Sequence, residues 1–160
     1  MGWFEDAYFL FNVRIFKASF SKSNANQKKI YCVDHAFGRT VTSGILVNSG
    51  HLLENIVFVA LRRFNSEIYY YKTANNHEID FIVQNQQRQF SLIQVCQSLV
   101  NPSTRQRETT ALQTAMNELK LSEATIVTRD ESESILVTEG IINAVPIWRF
   151  ILNINKYNIV

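Results

Sequence analysis

The sequence predicts an α/β fold in which a mixed β-sheet is flanked by helices. Three short apolar runs rich in Ile, Val, Tyr and Phe, at 68–71, 79–83 and 90–95, are separated by the polar clusters 73–77 and 84–88. Runs of this kind between polar clusters are typical of consecutive strands joined by turns. Apolar residues before and after them recur at helical spacing, so we expect the order helix, three strands, helix, strand.

Two further strands are predicted ahead of the first helix. Residues 9–16 alternate in the manner of a strand with one buried face, and 29–34 form another apolar run after a polar connection. The neighbouring residues Cys32, Asp34 and His35 could be taken for a catalytic set. Adjacent residues of one strand cannot be aimed at a common point. The favoured interpretation is therefore a buried Cys32 and a turn-forming Asp34, with a turn at 35–39.

The segments 50–64 and 104–119 are the predicted helices. Asn48 offers a cap to the first, and a Ser or Thr at 103–104 offers one to the second. The apolar stripe of the first helix comprises Leu52, Leu53, Ile56, Val57, Ala60, Leu61 and Phe64, and that of the second comprises Leu112, Ala115, Met116 and Leu119. Glu54 lies outside its stripe, and from the residues alone it is most simply a solvated side chain.

The C-terminal part predicts further sheet structure. Residues 122–129 form an apolar strand pattern, and 133–139 form a short strand or a loop. Residues 141–152 close the fold. Pro146 within them indicates either an edge strand or the start of a final helix.

Composition narrows the class of protein. A chain of 160 residues with 46% hydrophobic and 19% charged residues is typical of one globular domain, and a net charge of +2 does not by itself indicate a nucleic-acid binder. Cys32 and Cys96 lack metal-ligand spacing, which favours a reducing compartment. No apolar run approaches the ~20 residues of a membrane span, and no secretion signal or GxxxxGK[ST] phosphate loop is present. We therefore expect a cytoplasmic domain with no membrane partner.

Asp80 is the residue that most needs an explanation. It stands in the middle of an apolar run, and a buried acid is costly unless it is paired or binds a metal. Gln94 and Cys96 stand two residues apart on the next run, so they share one face of a strand.

The motifs around these residues resemble a known family. HisGluIleAspPheIleVal (77–83) and LeuIleGlnValCys (92–96), preceded by LeuLeuGluAsnIleValPhe (52–58), resemble the PD-(D/E)XK nuclease-like fold, which is the restriction-endonuclease-like fold. More narrowly, the chain is similar to the domain of unknown function that lies C-terminal to the AAA+ module in many bacterial and archaeal ATPases. Further matching segments are 28–34, 103–108 and 145–148. The resemblance implies that residues 1–160 are one such domain, a C-terminal fragment of an AAA+ ATPase without its ATP-binding module.

The resemblance also implies a set of site residues. Nucleases of this fold hold Mg²⁺ between a strand Asp, a following Glu or Gln and often a helical Glu, with a Lys two residues after the second ligand. The helical Glu corresponds to Glu54 and the strand Asp to Asp80. Gln94 takes the place of the second ligand, and Cys96 takes the place of the lysine. We accordingly expect Glu54, Asp80 and Gln94 to converge on one possible Mg²⁺ site.

Two of these positions depart from the nuclease pattern. Gln94 brings no charge, and Cys96 cannot supply a cation at pH 7. A repaired site is conceivable if Lys72 and Glu78 share a strand face with Asp80, which would make Lys72 a migrated lysine. The favoured interpretation is a degenerate domain with weak or no cleavage.

Two functional classes remain open. The first is a metal-dependent nuclease, or a degenerate relative that binds nucleic acid through a basic groove. Its candidate residues are Arg62, Arg63, Arg105 and Arg107. The second class is a protein-interaction or regulatory domain of an AAA+ ATPase, because a fold does not fix a function. The sequence does not predict the oligomeric state.

Overall fold

The computed structural model describes residues 9–16, 27–34, 49–157 and 159. In this part of the chain, an eight-stranded mixed sheet is flanked by helices, which confirms the predicted α/β class. The helices are α1 (Ser49–Arg62), α2 (Pro102–Leu119) and α3 (Ile147–Leu152), and Ile154–Tyr157 form a 3-10 turn. The strands are β1 (Leu10–Ile15), β2 (Lys29–Cys32), β3 (Ile68–Lys72), β4 (Glu78–Gln84), β5 (Phe90–Val95), β6 (Glu123–Thr128), β7 (Glu133–Val137) and β8 (Gly140–Pro146). The turn predicted at 35–39, with His35, lies outside the described residues.

The sheet has the order β2-β1-β3-β4-β5-β6-β8-β7. Strand β1 runs parallel to β3, and β5, β6 and β8 are parallel neighbours, whereas the other pairs are antiparallel. The predicted order of helix, three strands, helix and strand is confirmed, and β3, β4 and β5 are adjacent in the middle of the sheet. Since β4 is antiparallel to β5, the first residues of β4 lie next to the last residues of β5.

The C-terminal alternatives are resolved by the pairing of the last strands. Strand β8 pairs with both β6 and β7, so it is an interior strand and the edge-strand interpretation of Pro146 was wrong. Pro146 ends β8 and stands at the N-cap of α3. The segment 133–139 contains a strand, β7, which is the edge of the sheet.

Each face of the sheet carries its own core. Helix α1 packs on one face against residues that include Tyr31, Phe81 and Val83. Helix α2 packs on the other face against residues that include Ile79 and Ile82. We call these the α1 face and the α2 face. A β4 strand buried on both sides explains why its sequence is apolar almost throughout.

A β-bulge in β4 sets the direction of Asp80. Tyr69 pairs with Ile82 and Tyr71 pairs with Ile79, so two residues of β4 stand opposite the single residue between those tyrosines. Those two are Asp80 and Phe81. In a bulge of this kind, both residues are directed to similar sides of the sheet. Asp80 is thereby directed toward the α1 face, where Phe81 also packs.

The two long helices differ in part from the predicted ends, and Asn48, the predicted cap of α1, lies outside the described residues. Asn101, rather than a Ser or Thr, caps α2, and its side chain accepts hydrogen bonds from the N–H groups of Ser103 and Thr104. Helix α1 ends at Arg62, so Phe64 lies beyond the helix and is exposed instead of continuing its buried stripe. None of the helices in the described ranges combines the length and the apolar character that crossing a membrane requires.

Candidate functional site

The candidate site lies where β4 begins and β5 ends, under the first turns of α1. Asp80 is buried there, and Glu54 of α1 approaches it from the α1 face. The side chain between them is Lys29 of β2. It was not among the residues selected from the sequence.

Lys29 makes three ionic contacts at once. Its ammonium nitrogen, Nζ, lies 3.0 Å from Glu54 Oε1, 3.0 Å from Glu78 Oε1 and 2.8 Å from Asp80 Oδ1. The side chains of Lys29, Glu54 and Asp80 are only 19%, 14% and 12% exposed, so the contacts between them are largely shielded from water, whereas Glu78 is 41% exposed. We call Lys29, Glu54, Glu78 and Asp80 the Lys29 cluster. Glu78 and Asp80 both reach the same ammonium, so they lie on one side of β4.

Strand β2 and helix α1 hold Glu54 in place. The Tyr31 hydroxyl donates a hydrogen bond of 2.6 Å to Glu54 Oε1, the same oxygen that contacts Lys29. The Tyr31 ring stacks on Phe58 of α1 at 4.4 Å between ring centroids. Lys29 and Tyr31 stand two apart on β2 and therefore share a face. His51 Nδ1 lies 3.7 Å from Glu54 Oε2 at the outer side of the site.

The backbone of β5 binds the other oxygen of Asp80. Asp80 Oδ2 accepts a hydrogen bond of 2.9 Å from the N–H of Val95. Burial raises the pKa of Asp80 to about 6, and the nearby charge of Glu54 adds to that rise, whereas Lys29 and the Val95 N–H act against it. Burial by itself lowers the pKa of Lys29, but the charges of Asp80 and Glu54 outweigh it and hold that pKa above its ordinary value.

Gln94 is directed away from the Lys29 cluster. Its Oε1 accepts a hydrogen bond of 3.1 Å from the backbone N–H of Asp80, and its Nε2 donates one of 2.9 Å to Glu108 Oε2 of α2. Glu108 is buried and also accepts a hydrogen bond of 3.1 Å from Arg107 Nε. The structure therefore brings Glu54 and Asp80 together on the α1 face and leaves the Gln94 amide bonded to a helix on the α2 face.

Cys96 shares the α2 face with Gln94. It is buried in the core under α2, and its Sγ donates to the carbonyl oxygen of Ser98 at 3.1 Å. Burial raises the pKa of the thiol, so Cys96 is uncharged at neutral pH.

Lys72 is placed at the rim of the Lys29 cluster, with Nζ 3.6 Å from Glu78 Oε2.

The four selected arginines occupy separate places. Arg105 forms a bidentate pair with Glu133, at 2.6 and 2.7 Å, and Arg107 pairs with Glu108. Arg62 lies over the Phe11 ring, 5.5 Å from its centroid. Arg62 and Arg63 are at the far end of α1, and eight residues from Glu54 to Arg62 correspond to about 12 Å along the helix. Arg105 and Arg107 belong to the first turns of α2, which packs on the other face of the sheet from α1.

The oxygen atoms of the Lys29 cluster are of the kind that Mg²⁺ prefers, but their arrangement does not fit the ion. The position between the three carboxylates is filled by the Lys29 ammonium at hydrogen-bonding distances, whereas Mg²⁺ requires oxygens at about 2.0–2.1 Å. Throughout the described ranges, no group of three or more His, Cys, Asp or Glu side chains is arranged to hold a metal ion. The cluster fits an ammonium group.

One sequence signal for Lys29 existed. A lysine begins the short apolar strand 29–34 and shares a face with Tyr31, so the alternation directs it toward the core side. A lysine directed inward needs a carboxylate partner. The pattern could not name that partner, because the partners belong to α1 and β4, elsewhere in the chain.

Comparison with known proteins assigns the chain to a family. Residues 49–150 match the family described as a domain of unknown function (DUF4143), and this segment is more than half of the chain. The chain belongs to this family. The segment matched to DUF4143 contains Glu54, Glu78 and Asp80, whereas Lys29 precedes it.

A curated relative extends the likeness to nearly the whole chain. The "Uncharacterized protein MJ1544" of Methanocaldococcus jannaschii is 33% identical over 161 residues, which cover 95% of this chain and 35% of the relative. This DUF4143 chain thus spans about a third of the length of that relative. No solved structure matches this chain.

Proposed function

We propose that this DUF4143 chain is a catalytically inactive PD-(D/E)XK nuclease-like domain that serves as an interaction or regulatory domain of a longer ATPase. One observation carries the proposal. The Asp80 carboxylate is directed to the α1 face, while Gln94 and Cys96 are directed to the α2 face. A nuclease site of this fold needs the corresponding three groups around one phosphate.

The residues at the nuclease positions are also engaged elsewhere. Both polar ends of the Gln94 amide are hydrogen-bonded, and Cys96 is a buried neutral thiol. Stabilisation of charge at a reacting phosphate is usually a large part of catalysis, and losing one such group costs about 100-fold or more in rate. Absence of both the second ligand and the lysine therefore favours an inactive domain.

Two lysines near the site do not remedy this loss. Lys29 is bonded to three carboxylates, and Lys72 pairs with Glu78. Stabilising a phosphate would require either ammonium group to leave these carboxylates. Breaking the shielded ion pairs of Lys29 is costly because it leaves uncompensated charges behind. The Lys72–Glu78 pair is more exposed, but Lys72 lies beside Glu78 and away from Gln94, so it does not restore the second ligand.

A cleavage assay with Mg²⁺ or Mn²⁺ tests the inactive assignment on DNA and RNA. We expect no cleavage by the unmodified chain and none by the blank, Asp80→Ala. The double variant Gln94→Glu, Cys96→Lys shows whether restoring the two nuclease residue types is sufficient. Cleavage by the unmodified chain that Asp80→Ala abolishes would overturn the proposal.

Several features support a protein-directed role over a nucleic-acid-directed one. Arg105 and Arg107 already have carboxylate partners, which weakens them as phosphate ligands. Helix α3 exposes Trp148 and Leu152, apolar side chains suited to a protein contact. The relative from M. jannaschii is almost three times as long as the matched segment, which is consistent with a domain that works beside another module.

Two measurements test this role. We expect the full-length M. jannaschii relative to hydrolyse ATP at a different rate once the segment that aligns with this chain is removed. An unchanged rate, or a relative that hydrolyses no ATP, would contradict a regulatory role in an ATPase.

We also expect no saturable binding of duplex DNA by the chain in fluorescence anisotropy at low salt. Tight binding that weakens steeply with salt would favour the nucleic-acid alternative.

A further inference from the structure

We infer that Lys29 is a built-in counter-ion, which takes the place of a divalent metal and excludes one from the Lys29 cluster. The fold resemblance implies a metal between Glu54 and Asp80, yet the structure places an ammonium group there. This inference rests on the same cluster as the proposed function, but it concerns what binds the carboxylates rather than whether phosphodiesters are cleaved.

The Nζ atom of Lys29 lies between the three carboxylates of the cluster. It contacts one oxygen from each carboxylate of the cluster at 2.8–3.0 Å. Two oxygens that both contact Nζ can be no more than about 6 Å apart, which is the sum of their contact distances. Small inward movements would bring three such oxygens to the 2.3–2.6 Å that Ca²⁺ or a lanthanide of similar size requires. The lysine therefore fills the volume that such an ion would need.

The negative charges of the cluster also require a cation at the position of Nζ. The cluster holds three carboxyl groups, and two of them, on Glu54 and Asp80, are mostly shielded from water. Opposite charges at about 4 Å attract strongly where water is limited. Without the Lys29 ammonium, Glu54 and Asp80 would repel each other and would need another cation. Lys72 cannot replace it, because its ammonium contacts only the outer oxygen of Glu78.

The strand that carries Lys29 does not depend on Lys29 alone. The Asn55 side chain of α1 accepts a hydrogen bond of 2.9 Å from the N–H of Cys32 and donates one of 2.9 Å to its carbonyl oxygen. Tyr31 stacks on Phe58 next to these bonds. Strand β2 is thus fixed to α1 at two further points, so we expect a variant at Lys29 to keep β2 in place.

The test is cation binding by Lys29→Met, with Lys28→Met as the matched control. Lys28 is the exposed neighbour of Lys29, so its variant loses the same charge outside the cluster. Terbium(III) is a suitable probe, because tyrosines sensitise its luminescence and the centroid of the Tyr70 ring lies 5.9 Å from Nζ. We expect Lys29→Met to gain a saturable terbium site that Ca²⁺ competes for, with an affinity at least about tenfold above that of Lys28→Met. Adding Asp80→Asn to Lys29→Met should abolish the gain.

Several results would overturn the inference. One is a terbium site of equal affinity in the unmodified chain that Asp80→Asn removes, because Lys29 would then not exclude the ion. Another is a folded Lys29→Met protein that gains no site. Circular dichroism checks folding, and Lys29→Gln provides a second neutral variant, for which the same gain is expected. Metal-dependent cleavage by the unmodified chain that Asp80→Ala abolishes would contradict both the proposed function and this inference, because a metal would then act at Asp80 in the presence of Lys29. A folded Lys29→Met protein without a terbium site would contradict this inference alone.

Discussion

The Nζ atom of Lys29 lies 2.8 Å from Asp80 Oδ1, although 51 residues separate them in the chain. The pair joins β2, at the edge of the sheet, to β4, at its centre. It gives a buried acid an internal cation, which is one of the two ways in which a protein can hold such an acid. The alternative, a bound metal, is the one that the fold resemblance implies.

Replacing Lys29 should raise the pKa of Asp80. Burial and Glu54 hold that pKa at about 6 against the opposing charge of Lys29, so Lys29→Met removes an effect that lowers it. The carboxyl ¹³C resonance of Asp80, followed against pH by NMR, measures the change. Lys28→Met should leave the midpoint unchanged. A midpoint that stays the same in Lys29→Met would mean that the ion pair does not persist in solution.

Asp80 should make folding stability depend on pH in the opposite direction from a typical acid. Its pKa in the folded protein, about 6, lies above the ordinary value of 3.8, so the folded state binds this proton more tightly. The resulting contribution to the free energy of unfolding is fully present below pH 3.8 and is lost as pH rises through about 6.

Urea unfolding of the unmodified chain and Asp80→Asn at pH 4, 5, 6 and 7 measures this contribution. Asparagine cannot ionise, so the stability of Asp80→Asn relative to the unmodified chain should increase as pH rises from 4 to 7. A relative stability that decreases over this range would show that the folded protein favours the ionised form of Asp80.

The two cysteines should differ in reactivity. Cys96 is buried, and burial raises its pKa, whereas Cys32 is only partly buried. Thiolate is the form that alkylating reagents attack, so iodoacetamide at neutral pH should modify Cys32 well before Cys96. Peptide mass mapping over a time course measures both rates. Equal rates that persist under native conditions would place Cys96 outside the core.

Glu108 should contribute to stability through its buried contact with Gln94. Removing its carboxylate leaves Gln94 Nε2 buried without an acceptor, which costs about 1–3 kcal/mol in the free energy of unfolding. We therefore expect Glu108→Ala to be destabilised by this amount and Glu108→Gln by less. Glu123→Ala, at an exposed position, is the control and should change stability by less than about 0.5 kcal/mol. A neutral Glu108→Ala would mean that Gln94 finds another partner.

Local sequence patterns were sufficient to predict most elements of this fold and their order. Strands β3, β4 and β5 were readable because short runs of β-branched and aromatic residues between polar clusters have few other local solutions. Helices α1 and α2 were readable because their apolar residues repeat at helical spacing. Asp80 was also marked by the sequence alone, since an acid inside an apolar run is unusual whatever it contacts. These signals are local, and each depends on residues close together in the chain.

The surroundings of Asp80 depend on contacts between distant parts of the chain. The direction of its side chain follows from the bulge at Asp80 and Phe81, which depends on the register between β3 and β4. Its partnership with Lys29 depends on the pairing of β2 with β1 and on the packing of α1 over both strands. Gln94, at the right spacing for the site, bonds instead with Glu108, because β5 directs that side chain toward α2. Each of these contacts joins distant parts of the chain, so periodicity and composition, which are local properties, carry no record of them.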